Sequence, residues 1–268
     1  MSGPFALLAS ADPDDFGRIA ELLLNRAVLS VSRKPHRLVE IELYLNGPGH
    51  ADPYAHGDPV QRHAGRWYLH RTAGGLRGGS FKGLDLTLGP EGVPGGVLIR
   101  SLRDPDGRLI NGCSLCVDHL LAQTGCTDVA ALDAALGARR VWAPGPLQLV
   151  ADDALPRAPV LATARVGLTL KRWDEHPTMP AFLMRPYRFL TEPALPKGRL
   201  QTVLALHQQG RPPEAIRAAT GSTARAIASA IAAYEAGLAI DSFERWRGQG
   251  LGSAALATAM GAWARRFG

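Results

Sequence analysis

The chain contains 268 residues, of which 46% are hydrophobic and 20% are charged. This balance is typical of a globular protein that buries a substantial core. We find no apolar run of the roughly 20 residues that a membrane-spanning helix needs, and the N-terminus lacks the basic region of a secretory signal. These observations exclude a membrane partner and predict a cytoplasmic protein. The formal net charge of +6 and a pI near 9.6 favour an anionic partner, because basic surfaces attract phosphates.

The predicted elements begin with a helix over residues 14–30, where Phe16, Ile19, Leu22, Leu23 and Val28 recur at helical spacing after an Asp-Pro-Asp-Asp start signal. Short strands separated by Gly, Pro and Asp clusters follow at 38–45, 66–71, 83–88 and 96–102. Helices are predicted at 113–122 and 128–137. Strands return within 144–193, at 160–170 and 187–191. Because strands and helices do not alternate regularly, the pattern predicts an α+β fold with a mixed or largely antiparallel sheet.

A change to alanine-rich sequence at 192–198 predicts a boundary between a main domain, residues 1–195, and a small all-helical extension, residues 196–268. Helices are expected in the extension at 200–207, 213–220 and 222–236, with Ile216, Ile227 and Ile231 in their core. The turn 220–223 resembles that of a helix-turn-helix. Such a unit contacts DNA or only packs, and the sequence leaves both possibilities open. If it contacts DNA, Arg225 is a candidate contact.

The segment 39–45 carries the most informative pattern in the chain. Its odd-numbered residues are apolar, whereas Glu40, Glu42 and Tyr44 share the opposite face of the predicted strand. Residues on one face of a strand are roughly 7 Å apart along the strand. A carboxylate therefore stands beside an aromatic ring that can hold a flat ligand.

Other polar residues are candidates for the same site. Tyr68 and His70 share one face of the segment 66–71, either as the wet side of an amphipathic strand or as a second wall of a pocket. Arg100 ends an apolar strand and needs a partner, for which Glu42 or Asp85 is the natural candidate. The glycine-rich stretch 74–83 is either a phosphate-binding loop or a simple flexible hairpin.

Neither histidine nor cysteine spacing predicts a metal site. His50, His56, His63 and His70 are separated by six or seven residues, which fits no familiar ligand pattern. The three cysteines are too few for a disulfide framework, and one Cys-x-x-Cys is weak evidence for zinc. We expect the cysteines to be packing residues.

Taken in order, these motifs resemble the alkyladenine (3-methyladenine) DNA glycosylase family. The likeness covers about two thirds of the chain, residues 19–191. The family's Glu-x-Glu-Ala-Tyr strand is similar to residues 40–44, its Asp-x-x-Ala-His to residues 52–56, and its Gly-x-x-Tyr-x-Tyr strand to residues 65–70. Its Val-Leu-Leu-Arg strand is similar to residues 97–100, and its Gly-Pro-Ser-x-Leu-Cys helix start is similar to residues 112–116. Its closing strands are similar to residues 164–167, Trp173 and 185–189.

The resemblance implies a monofunctional DNA glycosylase of base excision repair, acting as a monomer on double-stranded DNA without a cofactor. Glu42 would activate water against C1′ of a flipped-out nucleotide, and Arg100 would help to hold that water. The remaining residues that the resemblance implies bind the base: Tyr44, His56, Tyr68, His70 and Asp85. Independently of the resemblance, Arg77 and Lys82 in the glycine-rich stretch, with Arg71 before it, are candidate contacts to DNA phosphates because of their charge. The expected substrate is an alkylated purine, and the expected location is the nucleoid in the cytoplasm.

Departures from the family surround the base and leave the substrate open. His70 stands where the family has a second stacking tyrosine, and Asp85 stands where it has an asparagine that screens the base. The glycine-rich loop replaces the segment that supplies the family's intercalating tyrosine, so no wedge residue is assigned. Two alternatives follow: a glycosylase for an unusual modified base, or a non-catalytic DNA-binding protein that keeps the fold.

Overall fold

The structure is a computed structural model that describes residues 3–268. The chain divides into two compact units, Met1–Val160 with Phe189–Thr191, and Leu161–Arg188 with Glu192–Gly268. The helices are α1 Phe16–Asn25, α2 Cys113–Thr124, α3 Val129–Leu136, α4 Met179–Leu183, α5 Arg199–Gln208, α6 Pro213–Thr220, α7 Ala224–Gly237 and α8 Ser253–Phe267. Within the described residues, none of these helices combines the length and apolar character needed to traverse a bilayer.

The strands are β1 Ala27–Val31, β2 Lys34–Gly47, β3 His50–Ala51, β4 Trp67–Leu69, β5 Arg71–Thr72, β6 Gly75–Leu76, β7 Leu84–Thr87, β8 Gly95–Arg103, β9 Leu109–Asn111, β10 Leu147–Ala151, β11 Leu161–Thr163 and β12 Arg188–Leu190. Six of them form the antiparallel path β10-β1-β2-β8-β7-β4 in the first unit. The fold is therefore α+β with C-terminal helices, as the sequence predicts.

The long strand β2 is buried on both faces. Val39, Ile41, Leu43 and Leu45 are each at most 1% exposed, and Glu40 and Glu42 on the other face are fully buried. The pairing of β2 with β8 shifts register twice, between Leu38 and Glu40 and between Glu40 and Ile41. Such a β-bulge locally re-aims the side chains of its strand. The polar face of β2 is consequently part of the interior of the first unit.

Several predicted elements differ from the observed ones. The helix predicted over 14–30 ends at Asn25, and Val28 lies instead in β1, which pairs with β10. Pairing with a distant strand overrides the local apolar pattern in this segment. The strand predicted at 160–170 is only Leu161–Thr163, and helix α4 was not predicted. Helix α6 has the predicted bounds.

The second unit differs from the predicted extension in extent. It includes residues 161–188, which the predicted boundary at 195 assigns to the main domain. One physical reason is Arg188, whose guanidinium donates hydrogen bonds to Thr163 Oγ1, Thr202 Oγ1 and the Gly198 carbonyl, at 3.1, 3.1 and 3.2 Å. These bonds join residues on both sides of the composition change, which sequence composition does not reveal.

The helical unit contains a tight turn between α6 and α7. Gly221 follows α6 in the left-handed conformation, with φ of 68°. Thr223 then caps α7, because its hydroxyl accepts a hydrogen bond from the Ala226 amide at 3.2 Å. Ile216 and Ile227 are buried as predicted, whereas Ile231 is only half-buried. The connection has the short turn and cap that are typical of a helix-turn-helix.

Candidate functional site

A row of aligned residues crosses four neighbouring strands of the first unit. Glu42 on β2 pairs with Leu98 on β8, Leu98 pairs with Asp85 on β7, and Asp85 pairs with Tyr68 on β4. Directly paired residues point to the same face of an antiparallel sheet. The predicted catalytic acid and two of the predicted base-binding residues therefore occupy one face, although they are far apart in sequence.

At one end of this row, a guanidinium lies between two acids. Arg100 Nε is 3.0 Å from Glu40 Oε1 and 3.3 Å from Glu42 Oε1. Burial by itself lowers the pKa of Arg100, but attraction by Glu42, Cys113 and Glu40 outweighs this effect and raises the pKa above its usual range. The guanidinium of Arg100 is therefore always protonated. Glu42 is a partner of Arg100 as anticipated, whereas Asp85 is not and Glu40 takes that place.

Glu40 has further partners that were not anticipated from the sequence. Its Oε2 accepts hydrogen bonds from Ser101 Oγ and, at 3.3 Å, from Asn111 Nδ2. Asn111 Nδ2 also donates to Ser101 Oγ at 2.7 Å. The Glu-x-Glu pattern was the only available signal for Glu40, and nothing in the local sequence of Ser101 or Asn111 marks them. They meet Glu40 through the pairing of β2, β8 and β9.

Tyr44 contacts the predicted catalytic acid directly. Its phenol donates a hydrogen bond of 2.7 Å to Glu42 Oε2. Glu42 thus has a cation near one carboxylate oxygen and a phenol at the other. These contacts fix the orientation of the carboxylate, which a general base requires.

The other end of the row is a cluster of rings. The ring centroids of His56 and His70 are 4.3 Å apart, and those of His56 and Tyr68 are 5.8 Å apart. Although part of His56 remains exposed, desolvation by its neighbours lowers its pKa to about 4, and His70 acts in the same direction. Burial also raises the pKa of Tyr68. At neutral pH, His56 and Tyr68 are therefore uncharged surfaces suited to contact with a base.

Asp85 connects the row to this cluster of rings. Its Oδ1 is 2.8 Å from His70 Nε2, and its Oδ2 accepts a hydrogen bond of 3.2 Å from Gln61 Nε2. Gly96 on β8, which pairs with Thr87 of β7, makes room for it, since a Cβ there would lie 2.6 Å from Asp85 Oδ2. His70 and Asp85, two positions at which the sequence departs from the pattern of the resembled family, therefore contact each other.

The predicted phosphate contacts of the first unit lie in the glycine-rich stretch 74–83 and just before it, and two of their charges are already paired. Arg71 Nη2 lies 2.7 Å from Asp133 Oδ2, and Lys82 Nζ lies 2.9 Å from Asp118 Oδ1. Arg77 donates instead to the uncharged Thr72 hydroxyl at 2.7 Å. In the second unit, Arg225 is exposed at the start of α7. Arg77 and Arg225 are thus better placed than Arg71 and Lys82 to meet a phosphate.

The same loop exposes a large apolar side chain. Phe81 is 74% exposed, and Leu115 on the neighbouring α2 is 51% exposed. Ser114 Oγ donates to the Gly79 carbonyl at 2.8 Å, which ties the loop to the start of α2. That start also contacts the buried cluster, since Arg100 Nη1 is 3.7 Å from Cys113 Sγ. Exposed apolar side chains rimmed by polar residues often mark a binding surface.

Neither the cysteines nor the histidines gather into a recognisable metal centre. All three cysteines are free thiols, and burial raises the pKa of Cys113 to about 11. His50 contacts Phe16 edge-on, and His63 contacts Glu91. In the described part of the chain, no three His, Cys, Asp or Glu side chains are grouped so that they could hold a metal ion.

Comparison with known proteins gives one partial similarity. No family model matches the chain. Over an alignment of 131 positions, the chain is 39% identical to an uncharacterized protein of Acanthamoeba polyphaga mimivirus, and the match covers 43% of the chain and 61% of the length of that relative. The relative is itself uncharacterized, so the similarity assigns no activity to the chain.

Proposed function

We propose that the protein is a monofunctional DNA glycosylase that hydrolyses the N-glycosidic bond of a flipped-out damaged or modified base and leaves an abasic site. The observation that carries this proposal is the buried Glu42 carboxylate, held between Arg100 and the phenol of Tyr44. A carboxylate with a fixed orientation, in line with a cluster of rings, has the parts needed to activate water beside a bound base.

The proposed reaction is a substitution at C1′, in which water replaces the base. As the bond from C1′ to the base nitrogen breaks, its electron pair leaves with the base and positive charge builds on the sugar ring. Glu42 stabilises that charge and accepts a proton from the water, whose oxygen forms the new bond to C1′. No lysine lies in the 40–44 motif to form a Schiff base with the sugar. The abasic DNA is therefore released without strand cleavage.

The ring cluster supports the binding half of the proposal. Base flipping costs a few kcal/mol, which stacking on rings offsets. We assign contact with the base to Tyr44, His56, Tyr68 and His70, with Asp85 holding His70. A positively charged alkylated purine leaves as a neutral molecule and needs no added proton. It is accordingly the substrate class that this site favours.

The decisive experiment compares base release by Glu42→Gln with base release by a control variant, Glu235→Gln, which alters an exposed acid on α7. Labelled duplexes containing 3-methyladenine, 7-methylguanine, hypoxanthine, ethenoadenine or a modified pyrimidine are scored for base release. We expect Glu42→Gln to lower the rate at least the roughly 100-fold typical of a general base, with unchanged duplex binding. Glu235→Gln should match the native protein. If Glu42→Gln released the base at the native rate, Glu42 would not be the general base.

A second candidate function, a non-catalytic DNA-binding protein, is favoured by the α6–α7 turn with its Thr223 cap and by the exposed Arg225. Alkali treatment separates the two. Strand breaks at the lesion after incubation indicate an enzyme, because abasic sites are cleaved by alkali. If the protein retards the DNA in a gel but leaves it intact for every lesion, the protein is a non-catalytic DNA-binding protein.

A further inference from the structure

Three exposed arginines lie around the turn between α6 and α7. Arg211 stands two residues before α6, Arg217 lies in the last turn of α6, and Arg225 lies in the first turn of α7. In the part of the chain that the structure describes, none of their guanidinium groups forms an ion pair or a hydrogen bond. Their charges are therefore not neutralised within the protein.

Other exposed arginines of the same unit are paired with acids. Three such pairs are Arg172 with Glu175, Arg247 with Glu244 and Arg265 with Asp241. Between residues 211 and 234, by contrast, the chain has three arginines and a single acid, Glu214. Arginine stays protonated in proteins. The surface around the turn is consequently cationic, and such a surface attracts an anionic partner.

Helix α7 presents small side chains on its exposed face. Its buried residues are Ile227, Ala230, Tyr234 and Gly237. Its exposed residues include Ala224, Ala228, Ser229 and Ala232. A helix with its side chains is about 10–12 Å across, and the major groove of B-form DNA is about 12 Å wide. Small side chains on the outer face therefore let a helix enter that groove.

The same features favour duplex DNA over other anionic partners. Proteins hold single strands by stacking bases on aromatic rings, whereas Tyr234, the one aromatic residue in α6 and α7, is buried. Helices that bind membrane surfaces present Trp, Phe or Leu on one face, and α7 contains none of these residues. Neither alternative partner fits the exposed face of α7.

The docking geometry of a helix-turn-helix also fits the positions of the arginines. In that geometry the second helix lies in the major groove with its N-terminal end nearest the bases, and the first helix crosses the backbone. Arg225 belongs to the N-terminal turn of the second helix, and Arg211 and Arg217 lie near the two ends of the first.

The residues of α7 offer little means of reading a DNA sequence. Base edges in the major groove are read mainly by Arg, Lys, Asn, Gln and acidic side chains. Over residues 224–234, Arg225 is the only such side chain, and the others are Ala, Ser, Ile and Tyr. Contacts from this surface therefore go mainly to phosphates, which carry no sequence information.

We propose that α6 and α7 form a sequence-independent binding surface for duplex DNA, in which Arg211, Arg217 and Arg225 contact phosphates and the alanine face of α7 lies in the major groove. This surface belongs to the second compact unit, whereas Glu42 and the ring cluster belong to the first. It requires no damaged base, so it goes beyond the proposed reaction. The quantity that reports it is the affinity of the full chain for undamaged duplex.

The first test removes two of the unpaired charges. Arg217→Gln with Arg225→Gln is compared with Arg172→Gln with Arg265→Gln, which removes the same total charge from arginines that are already paired. Each phosphate contact adds about one unit to the slope of log affinity against log salt. The first double variant should lower that slope by about two and weaken duplex affinity about tenfold or more. The second should change both much less.

A further pair of variants tests the position of α7. Ala228→Glu adds a carboxylate to the exposed face of α7, and Ala254→Glu adds the same charge to an exposed position on α8. Glutamate is a good helix former, so both variants should fold. A carboxylate held among phosphates is repelled, and Ala228→Glu should weaken duplex binding about tenfold. Ala254→Glu should bind as the native protein does.

Three outcomes overturn the inference: equal salt slopes in the two arginine double variants, equal affinities in Ala228→Glu and Ala254→Glu, or tighter binding of single-stranded DNA than of duplex. Undamaged duplexes of unrelated sequence should bind with closely similar affinity, and a strong preference for one of them overturns sequence independence.

Base release is scored separately on the same proteins. If the native protein releases no base but binds undamaged duplex through Arg217 and Arg225, the proposed reaction is wrong and the α6–α7 surface stands. If the protein releases a base and the arginine variants bind duplex as the native protein does, the reaction stands and the surface is wrong.

Discussion

Tyr44 Oη and Glu42 Oε2 are joined by a hydrogen bond of 2.7 Å between side chains two residues apart on one strand. Residues at this spacing point to the same face, roughly 7 Å apart, and the length of the tyrosine side chain lets its hydroxyl reach the acid. Tyr44 therefore combines two functions in the proposed site. Its hydroxyl orients the Glu42 carboxylate, the proposed general base, and its ring offers a surface to the extruded nucleobase.

Tyr44→Phe separates these two functions. Hydrogen bonds to charged groups contribute about 1.5–3 kcal/mol, and 1.36 kcal/mol corresponds to a tenfold change in rate. We therefore expect the single-turnover rate constant to fall about 10- to 100-fold, with unchanged duplex affinity because the ring remains. Tyr234→Phe, which removes a hydroxyl bonded to Gln208 in the second unit, is the control. A weaker duplex affinity without a slower rate would contradict the assignment.

Phe81 is expected to contribute to duplex binding and not to stability. Its side chain is 74% exposed, so Phe81→Ala should leave the free energy of unfolding within about 0.5 kcal/mol of the native value. Stacking of a base on an aromatic ring contributes about 1–3 kcal/mol. Duplex affinity, measured by fluorescence anisotropy, should therefore fall about 5- to 100-fold. Leu238→Ala, at another exposed apolar position, should change neither quantity, and unaltered affinity in Phe81→Ala would exclude the contact.

The salt dependence of duplex binding should distinguish the paired cations from the others. Each phosphate contact adds about one unit to the slope of log affinity against log salt. Arg77→Gln should lower that slope by about one. Lys82→Gln should lower it less, because Lys82 is already paired with Asp118. Titrations between low and physiological salt would measure the slopes, and a larger effect for Lys82→Gln would show that DNA displaces Asp118.

The His36–His119 pair predicts lower stability in mild acid. Their Nε2 atoms are 2.9 Å apart, so one ring must be neutral to accept the hydrogen bond. Burial lowers the pKa of both residues from 6.5, which means that the unfolded chain binds protons more readily than the folded chain does. Stability from this pair is present above pH 6.5 and is lost as the pH falls below it.

Urea unfolding between pH 8 and pH 5 tests this sign. The urea midpoint of the native protein should fall as the pH is lowered. The decline should be shallower in His119→Gln, because glutamine cannot be protonated in this range. His207→Gln alters a histidine in the second unit and should keep the native decline. A midpoint that rises as the pH falls from 7 to 5 would be incompatible with the pair as described.

Helices α7 and α8 approach closely through two glycines. A Cβ on Gly261 would lie 1.9 Å from the Tyr234 carbonyl oxygen, and one on Gly237 would lie 2.1 Å from that of Thr258. Gly261→Ala should therefore destabilise the second unit by roughly 1–3 kcal/mol, the usual cost of overpacking. Gly252→Ala, where no atom lies within 4 Å of the new Cβ, should have little effect. Thermal unfolding of the full chain measures both.

The sequence by itself determined the α+β class and the location of most elements, since each depends on local periodicity. The alternation in residues 39–45 was enough to separate the apolar residues of β2 from Glu40, Glu42 and Tyr44. Local signals also predicted α6 and the glycine turn after it, because a helix end is encoded within a few residues. The same signals could not predict that Val28 joins a strand, because its partner Val150 lies far along the chain.

Only the tertiary structure decided which charges meet. Sequence reasoning left Glu42 and Asp85 as alternative partners for Arg100, whereas strand register and the bulge in β2 give Arg100 to Glu40 and Glu42 and give Asp85 to His70. Side-chain pairing across a sheet depends on register, and a shift of one residue changes every partner. For that reason the strand pattern could place Glu42 on the polar face of β2, while the neighbours that orient its carboxylate could not be predicted.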